Sequence, residues 1–73
     1  MTLCDTSRGS SVTVAGVYTQ PSLAERLHVL GISPPARVHV LKVSPRKKVW
    51  YLRTAFSTVA LGEELAACIE VTP

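Results

Sequence analysis

The sequence predicts a mainly β fold, a small barrel of about five short strands with one α-helix inserted at about residues 22–30. Three observations lead to this prediction. Segments with the two-residue alternation of β-strands recur along most of the chain. One segment alone combines helical spacing with start and stop signals. Five short strands in so small a protein would leave long free edges in an open sheet, so partial closure into a barrel is favoured.

Length and composition limit the chain to one small core. Its 73 residues suit a single domain, residues 1–73. Apolar residues make up 47% of the chain and charged residues 18%, which is typical of a globular protein and not of a disordered one. The net charge of +3 suits contact with phosphates or anionic lipid but establishes neither. No secretory signal pattern or membrane-length apolar run is found, so we expect a soluble, cytoplasmic protein.

The first strand is predicted from the alternation of Val12, Val14 and Gly16 with small polar residues, and it extends to Tyr18. Gly16 permits a bulge in that strand. Leu3 is expected to anchor the polar N-terminal segment to the core.

The inserted helix is predicted to start at Ser22. Ser22 and Glu25 have the spacing of a capping box, in which each side chain bonds to the backbone amide of the other residue. Helical spacing then places one set of side chains against the sheet: Leu23, Leu27 and Leu30. It leaves another set on the surface: Arg26, His28 and Val29.

The end of the helix is predicted at Gly31, where a left-handed residue is needed, with Ile32 packing back on the last turn. Pro34 and Pro35 prevent the helix from continuing.

The remaining elements follow in order: a strand at 36–44, a charged hairpin turn at 45–48, strands at 49–53 and 56–61, a short helical turn at 62–66 and a closing strand at 67–71. The inward and outward pattern of the second strand changes phase at 41–43, which is typical of a bulged and strongly bent barrel strand.

Soft metal ligands are present but do not form a metal-binding motif. The four residues are Cys4, His28, His39 and Cys68. No CxxC or CxxH spacing occurs, and the predicted elements place these side chains on different faces. We therefore expect no metal site, no cofactor, and two free thiols in a reducing cytosol.

Catalytic motifs are also missing from the sequence. The acidic residues are Asp5, Glu25, Glu63, Glu64 and Glu70, and their positions do not separate an acid from a base. There is no nucleophile elbow, P-loop or HExxH. The expectation is that the protein is not an enzyme, with no catalytic residues.

One cluster combines basic and aromatic residues: Arg46, Lys47, Lys48, Trp50 and Tyr51. Small barrels bind nucleic acid through such surfaces. The simpler interpretation, which we favour, is a solvated hairpin tip followed by core aromatics. An exposed Trp50 together with Val29 would instead form a patch for a partner protein. The predicted partner-binding residues are therefore Arg26, His28, Val29, Arg46, Lys47, Lys48 and Trp50.

One ordered set of features runs along nearly the whole chain: Gly9, Val14, the helix at 23–30 with Leu30-Gly31-Ile32, the proline turn, Val38-His39-Val40, the segment 59–66 and Ile69-Glu70-Val71. In this order they resemble the ferrous iron transport protein A (FeoA) family. The resemblance implies an SH3-like β-barrel with an inserted helix, the fold of the C-terminal domain of iron-dependent repressors of the DtxR type. It also implies a cytosolic accessory protein of bacterial ferrous iron uptake that acts on the GTP-binding permease FeoB, without catalytic residues, and that reaches the membrane only through this partner.

Two departures from the family pattern affect these expectations. Pro35 stands where the family usually has Gly, which predicts a stiff, extended corner before the next strand. The hairpin at 45–48 is shorter than in the family, so a partner surface there would differ. The alternatives are a paralogue with another partner, or a basic barrel that binds nucleic acid or serves a repressor or a metal sensor. The oligomeric state is left open.

Overall fold

A computed structural model describes all residues of the chain, 1–73, as one antiparallel sheet with short helices. The elements in chain order are a 3₁₀-helix at Leu3–Asp5, β1 at Ser11–Val17, α1 at Pro21–Val29, β2 at Arg37–Val43, β3 at Val49–Arg53, β4 at Thr58–Gly62, α2 at Glu63–Ala66 and β5 at Ile69–Thr72. The sheet has the order β4-β3-β2-β1-β5. The predicted mainly β class, with five strands and one inserted helix, is confirmed. None of the helices has the length and apolar character that spanning a membrane requires.

The core is formed by alternate residues of the strands and by a few residues from the helices. Its buried apolar members are Leu3, Val12, Val14, Leu27, Ile32, Val38, Val40, Trp50, Leu52, Leu61, Ala66, Ile69 and Val71. Leu3 is fully buried, as expected for an anchor, although the 3₁₀-helix that carries it was not predicted. Trp50 is only 1% exposed. The favoured interpretation of a core aromatic therefore holds for Trp50, and the alternative that places it in an exposed partner-binding patch is wrong.

Two bulges bend the sheet. The pairing of β1 with β5 shifts register between Val14 and Gly16. The pairing of β2 with β3 shifts between Val40 and Lys42. The second shift lies where the change of alternation predicted it, since a bulge adds one residue to one strand and so reverses the alternation beyond it. The first lies beside the glycine that was expected to permit a bulge.

The start of α1 differs from the prediction. The helix begins at Pro21 with Gln20 as its N-cap, and no side chain caps it. The Ser22 capping box is therefore wrong. Proline is favoured at the first helical position, because its fixed φ suits the helix and its missing N–H leaves no donor unpaired there. Pro21 thus moves Ser22 into the first turn.

The end of α1 is as predicted. Gly31 has a φ of +95°, in the left-handed region. Its N–H donates to the His28 carbonyl at 3.0 Å, and the Ile32 N–H donates to the Leu27 carbonyl at 2.8 Å. These two bonds form a Schellman motif, and the Ile32 side chain is fully buried beneath it.

The proline corner and the start of β4 also differ from the prediction. Residues 33–36 form a tight turn in which the Ala36 N–H donates to the Ser33 carbonyl at 2.8 Å and the peptide between Pro34 and Pro35 is cis. The expected extended corner is therefore wrong. The predicted strand at 56–61 starts only at Thr58, because Phe56 lies in the connection after β3.

Candidate functional site

The outer face of α1 carries three of the predicted partner-binding residues. Arg26, His28 and Val29 are all exposed, and the Val29 side chain is 67% exposed. The Nδ1 atom of His28 lies 2.8 Å from the Ser33 hydroxyl oxygen, so the imidazole is held against the turn that follows the helix. The guanidinium of Arg26, in the last turn, also favours the helix electrostatically, because the negative end of the helix dipole lies there.

Phe56 is also exposed near the C-terminal end of α1, although the sequence predicted it to lie in a strand. Its side chain is 76% exposed, the most exposed of the large apolar residues. Its ring lies over Gly31, with an aromatic carbon 3.1 Å from where a Cβ on that glycine would be. We call Val29 and Phe56 the helix-end patch. One feature of the sequence could have indicated that Phe56 is exposed: it is a single large aromatic residue between small and polar neighbours, Ala55 and Ser57, in a connection between strands.

The Thr54 hydroxyl fixes the connection that presents Phe56. It donates to the Leu30 carbonyl at 2.6 Å. It also accepts from the backbone N–H groups of Phe56 and Ser57, each at 3.1 Å. Thr54 as a whole is only 9% exposed. Its hydroxyl joins this connection to the C-terminal end of α1. The backbone at Phe56 is therefore held against the C-terminal end of α1.

The basic hairpin lies on a different part of the molecule. The Ser44 hydroxyl accepts from the N–H groups of Lys48 at 2.9 Å and Val49 at 3.1 Å and so closes the turn. Arg46, Lys47 and Lys48 are all exposed. Arg46 and Lys48 line an open depression of about 400 Å³. The Lys48 ammonium pairs with Glu63 at 3.2 Å in an exposed ion pair, which screening makes weak.

The aromatic residues after this hairpin are not a free stacking surface. Trp50 is buried, and its Nε1–H has no hydrogen-bond partner. Tyr51 is half-buried, with the Lys42 ammonium 5.6 Å from the centre of its ring. The structure therefore separates the basic residues from Trp50, which the sequence had placed with them among the partner-binding residues. The core takes the indole because it is the largest apolar side chain on the inward face of β3.

The soft metal ligands do not converge. The two imidazoles make separate hydrogen bonds: His39 Nδ1 lies 2.8 Å from the Ser11 hydroxyl oxygen, and His28 Nδ1 lies 2.8 Å from the Ser33 hydroxyl oxygen. No group of three His, Cys, Asp or Glu side chains is placed to hold a metal ion.

Both cysteines are free thiols beside α2. The Cys4 thiol donates to the Glu63 carbonyl at 3.6 Å, and the Cys68 thiol donates to the Glu64 carbonyl at 3.4 Å. Burial, and to a lesser degree the charge of Glu63, raises the pKa of the Cys4 thiol. A raised pKa lowers the thiolate fraction at neutral pH and therefore makes this thiol a poorer nucleophile and metal ligand.

A groove of about 310 Å³ separates the N-terminal end of α1 from α2. Its lining residues are Thr19, Gln20, Leu23, Glu64, Leu65 and Cys68. Tyr18 lies just before these residues and is 71% exposed, with its ring over the backbone at Gly16.

Comparison with protein families gives a match over the whole chain. The model of the FeoA domain matches residues 1–73. Comparison with curated proteins gives no match.

Solved structures with the same fold include proteins of this family. The FeoA protein from Chlorobium tepidum has a TM-score of 0.89 and 24% identity, over 97% of this chain and 68% of its own. The FeoA of Stenotrophomonas maltophilia, described as a prokaryotic SH3 domain protein complexed with zinc, has a TM-score of 0.83 and 24% identity, over 99% of this chain and 89% of its own. A manganese-dependent transcriptional repressor has a TM-score of 0.86 and 26% identity, over 97% of this chain but 39% of its own. The predicted SH3-like fold with an inserted helix is confirmed.

Proposed function

The chain belongs to the FeoA domain family, and on that premise we propose that it is a non-enzymatic accessory protein of bacterial ferrous iron uptake. We propose further that it acts in the cytoplasm by docking on the cytosolic part of a FeoB-type GTP-binding permease. In this proposal ferrous iron is the species that the permease transports and is not a resident cofactor of the chain.

The observation that supports docking is the helix-end patch. Val29 and Phe56 are 67% and 76% exposed in a protein whose other large apolar side chains are mostly buried. Exposed apolar residues that a rigid framework presents together are typical of interaction surfaces. Thr54 supplies that framework, since its hydroxyl bonds to both the helix end and the connection that carries Phe56.

Charge favours a partner with an acidic rim. The exposed Arg26 lies one turn before Val29 on α1, and Arg53 directly precedes Thr54. Neither arginine takes part in a salt bridge within the chain. A permease surface with an apolar centre and carboxylates around it would complement the patch, because such rim charges guide encounter and orientation more than they add affinity.

The direct experiment is a calorimetric titration of the chain against the cytosolic part of the permease, without nucleotide and with GDP or a GTP analogue. Val29→Glu and Phe56→Ser should each weaken binding by at least tenfold, as loss of a central apolar contact does at many interfaces. Tyr18→Ser is the matched control, because Tyr18 is as exposed as Phe56 but lies before the other end of α1. Lack of binding in every nucleotide state would contradict the proposal, and equal binding by all variants would move the docking surface elsewhere.

A second candidate is a basic barrel that binds nucleic acid or serves a repressor. Two observations favour it: the exposed Arg46, Lys47 and Lys48, and the repressor among the similar structures. Replacing all three basic residues by Ala should then abolish binding of a fluorescent oligonucleotide at low salt. Binding should also fall with salt, at a slope of about −0.7 per neutralised phosphate for single strands. Unchanged anisotropy of the oligonucleotide at low salt would exclude this candidate.

The metal-sensing variant of that candidate makes a separate prediction. It requires tight, stoichiometric binding of ferrous iron or zinc that is lost when Cys4, His28, His39 or Cys68 is replaced. Equilibrium dialysis measures this directly, and dialysis without retained metal would exclude it.

A further inference from the structure

The strand β4 forms one edge of the sheet and pairs only with β3. Two hydrogen bonds just beyond the ends of β3 and β4 show which β4 residues direct their backbone N–H and carbonyl groups toward β3. The Glu63 N–H donates to the Lys48 carbonyl at 2.9 Å, and the Thr54 N–H donates to the Ser57 carbonyl at 2.8 Å. Hydrogen-bonded pairs alternate with unbonded pairs in an antiparallel ladder. The β4 residues whose backbone groups bond to β3 are therefore residues 59 and 61. The backbone N–H and carbonyl groups of residues 58, 60 and 62 point away from β3.

The outward backbone groups of β4 have no partner within the chain. No turn, loop or side-chain hydrogen bond reaches the backbone of Thr58 or Ala60. The Gly62 N–H faces outward as well, whereas its carbonyl is at the N-cap of α2, where it accepts the first helical bond. The opposite edge of the sheet is partly covered, since the Val71 N–H donates to the Met1 carbonyl and Thr2 bridges to Glu70.

Nothing in the sequence of β4 blocks this edge. Thr58, Ala60 and Gly62 are exposed and small, and a Cβ at Gly62 would meet no atom within 4 Å. Natural edge strands usually carry lysine, proline or a bulge that prevents another strand from pairing. The ladder between β3 and β4 is regular and has none of these.

We propose that this edge pairs with β4 of a second copy of the chain, antiparallel and about a two-fold axis at Ala60. The outward residues are symmetric about Ala60, so Ala60 lies opposite Ala60 of the second copy and Thr58 lies opposite Gly62. Each outward N–H of Ala60 and Gly62 then meets an outward carbonyl, which gives four backbone hydrogen bonds. The two sheets form one continuous ten-stranded sheet.

The facing side chains also suit a second copy. Ala60 would face Ala60 and Thr58 would face Gly62, so every facing pair is small and uncharged. The two backbones can therefore approach to the ordinary spacing of paired strands.

The test is sedimentation velocity on the full chain over a concentration series up to the millimolar range. We expect a dimer whose dissociation constant rises at least tenfold in Ala60→Lys, because a lysine at the centre of the pairing would face its own copy. Ala15→Lys is the control, since Ala15 is an exposed alanine with the same charge change in a strand paired on both sides.

Hydrogen exchange of the unsubstituted chain tests the same contact without any variant. The amides of Ala60 and Gly62 should become protected as the protein concentration rises, whereas the amide of Thr58 should change less. A chain that remains monomeric at all concentrations overturns the proposal and leaves the edge to an extended segment of another protein. A dimer that Ala60→Lys does not weaken, or one without protection at these amides, overturns it as well.

Discussion

Replacement of Leu27 by Ala tests how the inserted helix is attached to the barrel. Leu27 is the one buried residue of α1 and is 3% exposed. The change removes three carbon groups, worth about 2.4 kcal/mol at roughly 0.8 kcal/mol each. The cavity left behind adds to this, so a loss of about 2 to 5 kcal/mol in the free energy of unfolding is expected. A domain of this length has on the order of 4 to 11 kcal/mol in total, so the variant should be close to unfolding.

Leu23→Ala is the matched control on the same helix face. Leu23 is half-buried and lines the groove beside α2, so its replacement should cost about half as much, roughly 1 kcal/mol. Urea unfolding at equilibrium measures both values, and the fluorescence of Trp50, the one tryptophan, reports the transition because the indole is buried. A loss below about 0.5 kcal/mol for Leu27→Ala, or a larger loss for Leu23→Ala, would show that the helix packs in another phase.

Three further predictions concern contacts outside the core. Thr54→Val leaves the Leu30 carbonyl without its donor and two backbone amides without their acceptor. It should therefore lower the free energy of unfolding by about 1 to 3 kcal/mol in the same urea assay. A neutral effect would mean that the hydroxyl does not hold the connection. Gly31→Ala should cost at least about 1 kcal/mol by thermal unfolding, since φ is +95° and the Thr54 hydroxyl lies 2.8 Å from the added Cβ; an unchanged melting temperature would refute this strain. The Glu70 carboxylate, by its hydrogen bond and its charge, raises the pKa of the Met1 amine. This ion pair therefore stabilises the fold fully below pH 8.0, and the stabilisation is lost as pH rises through the raised pKa. The chain with a free amine should lose more stability between pH 7 and 10 than its Glu70→Gln variant, and equal losses would contradict the assignment.

Local sequence patterns predicted most of the fold because the relevant interactions are local. The Schellman motif at Gly31 depends on residues within one helical turn. The bulge near Leu41 follows from a change in alternation along a single strand, and the bulge near Gly16 lies at a glycine, a residue that permits one. The errors arose where two local signals compete. Pro21 and Ser22 both favour a helix start, and the proline prevailed.

The candidate site was less predictable because exposure is a tertiary property. Trp50 and Phe56 are both aromatic residues near strand termini, yet one is 1% and the other 76% exposed. The alternation of β3 places Trp50 inward, whereas the position of Phe56 depends on the bond between Thr54 and the Leu30 carbonyl, 24 residues away in sequence. No local pattern contains that contact.

The two ends of α1 are attached to the barrel in different ways. At its C-terminal end the Schellman motif, the buried Ile32 and the Thr54 hydroxyl hold the backbone. At its N-terminal end a groove lies between Leu23 and α2. Local opening of the nine-residue helix should therefore begin at its first turn, while the turn beside Phe56 keeps its backbone hydrogen bonds.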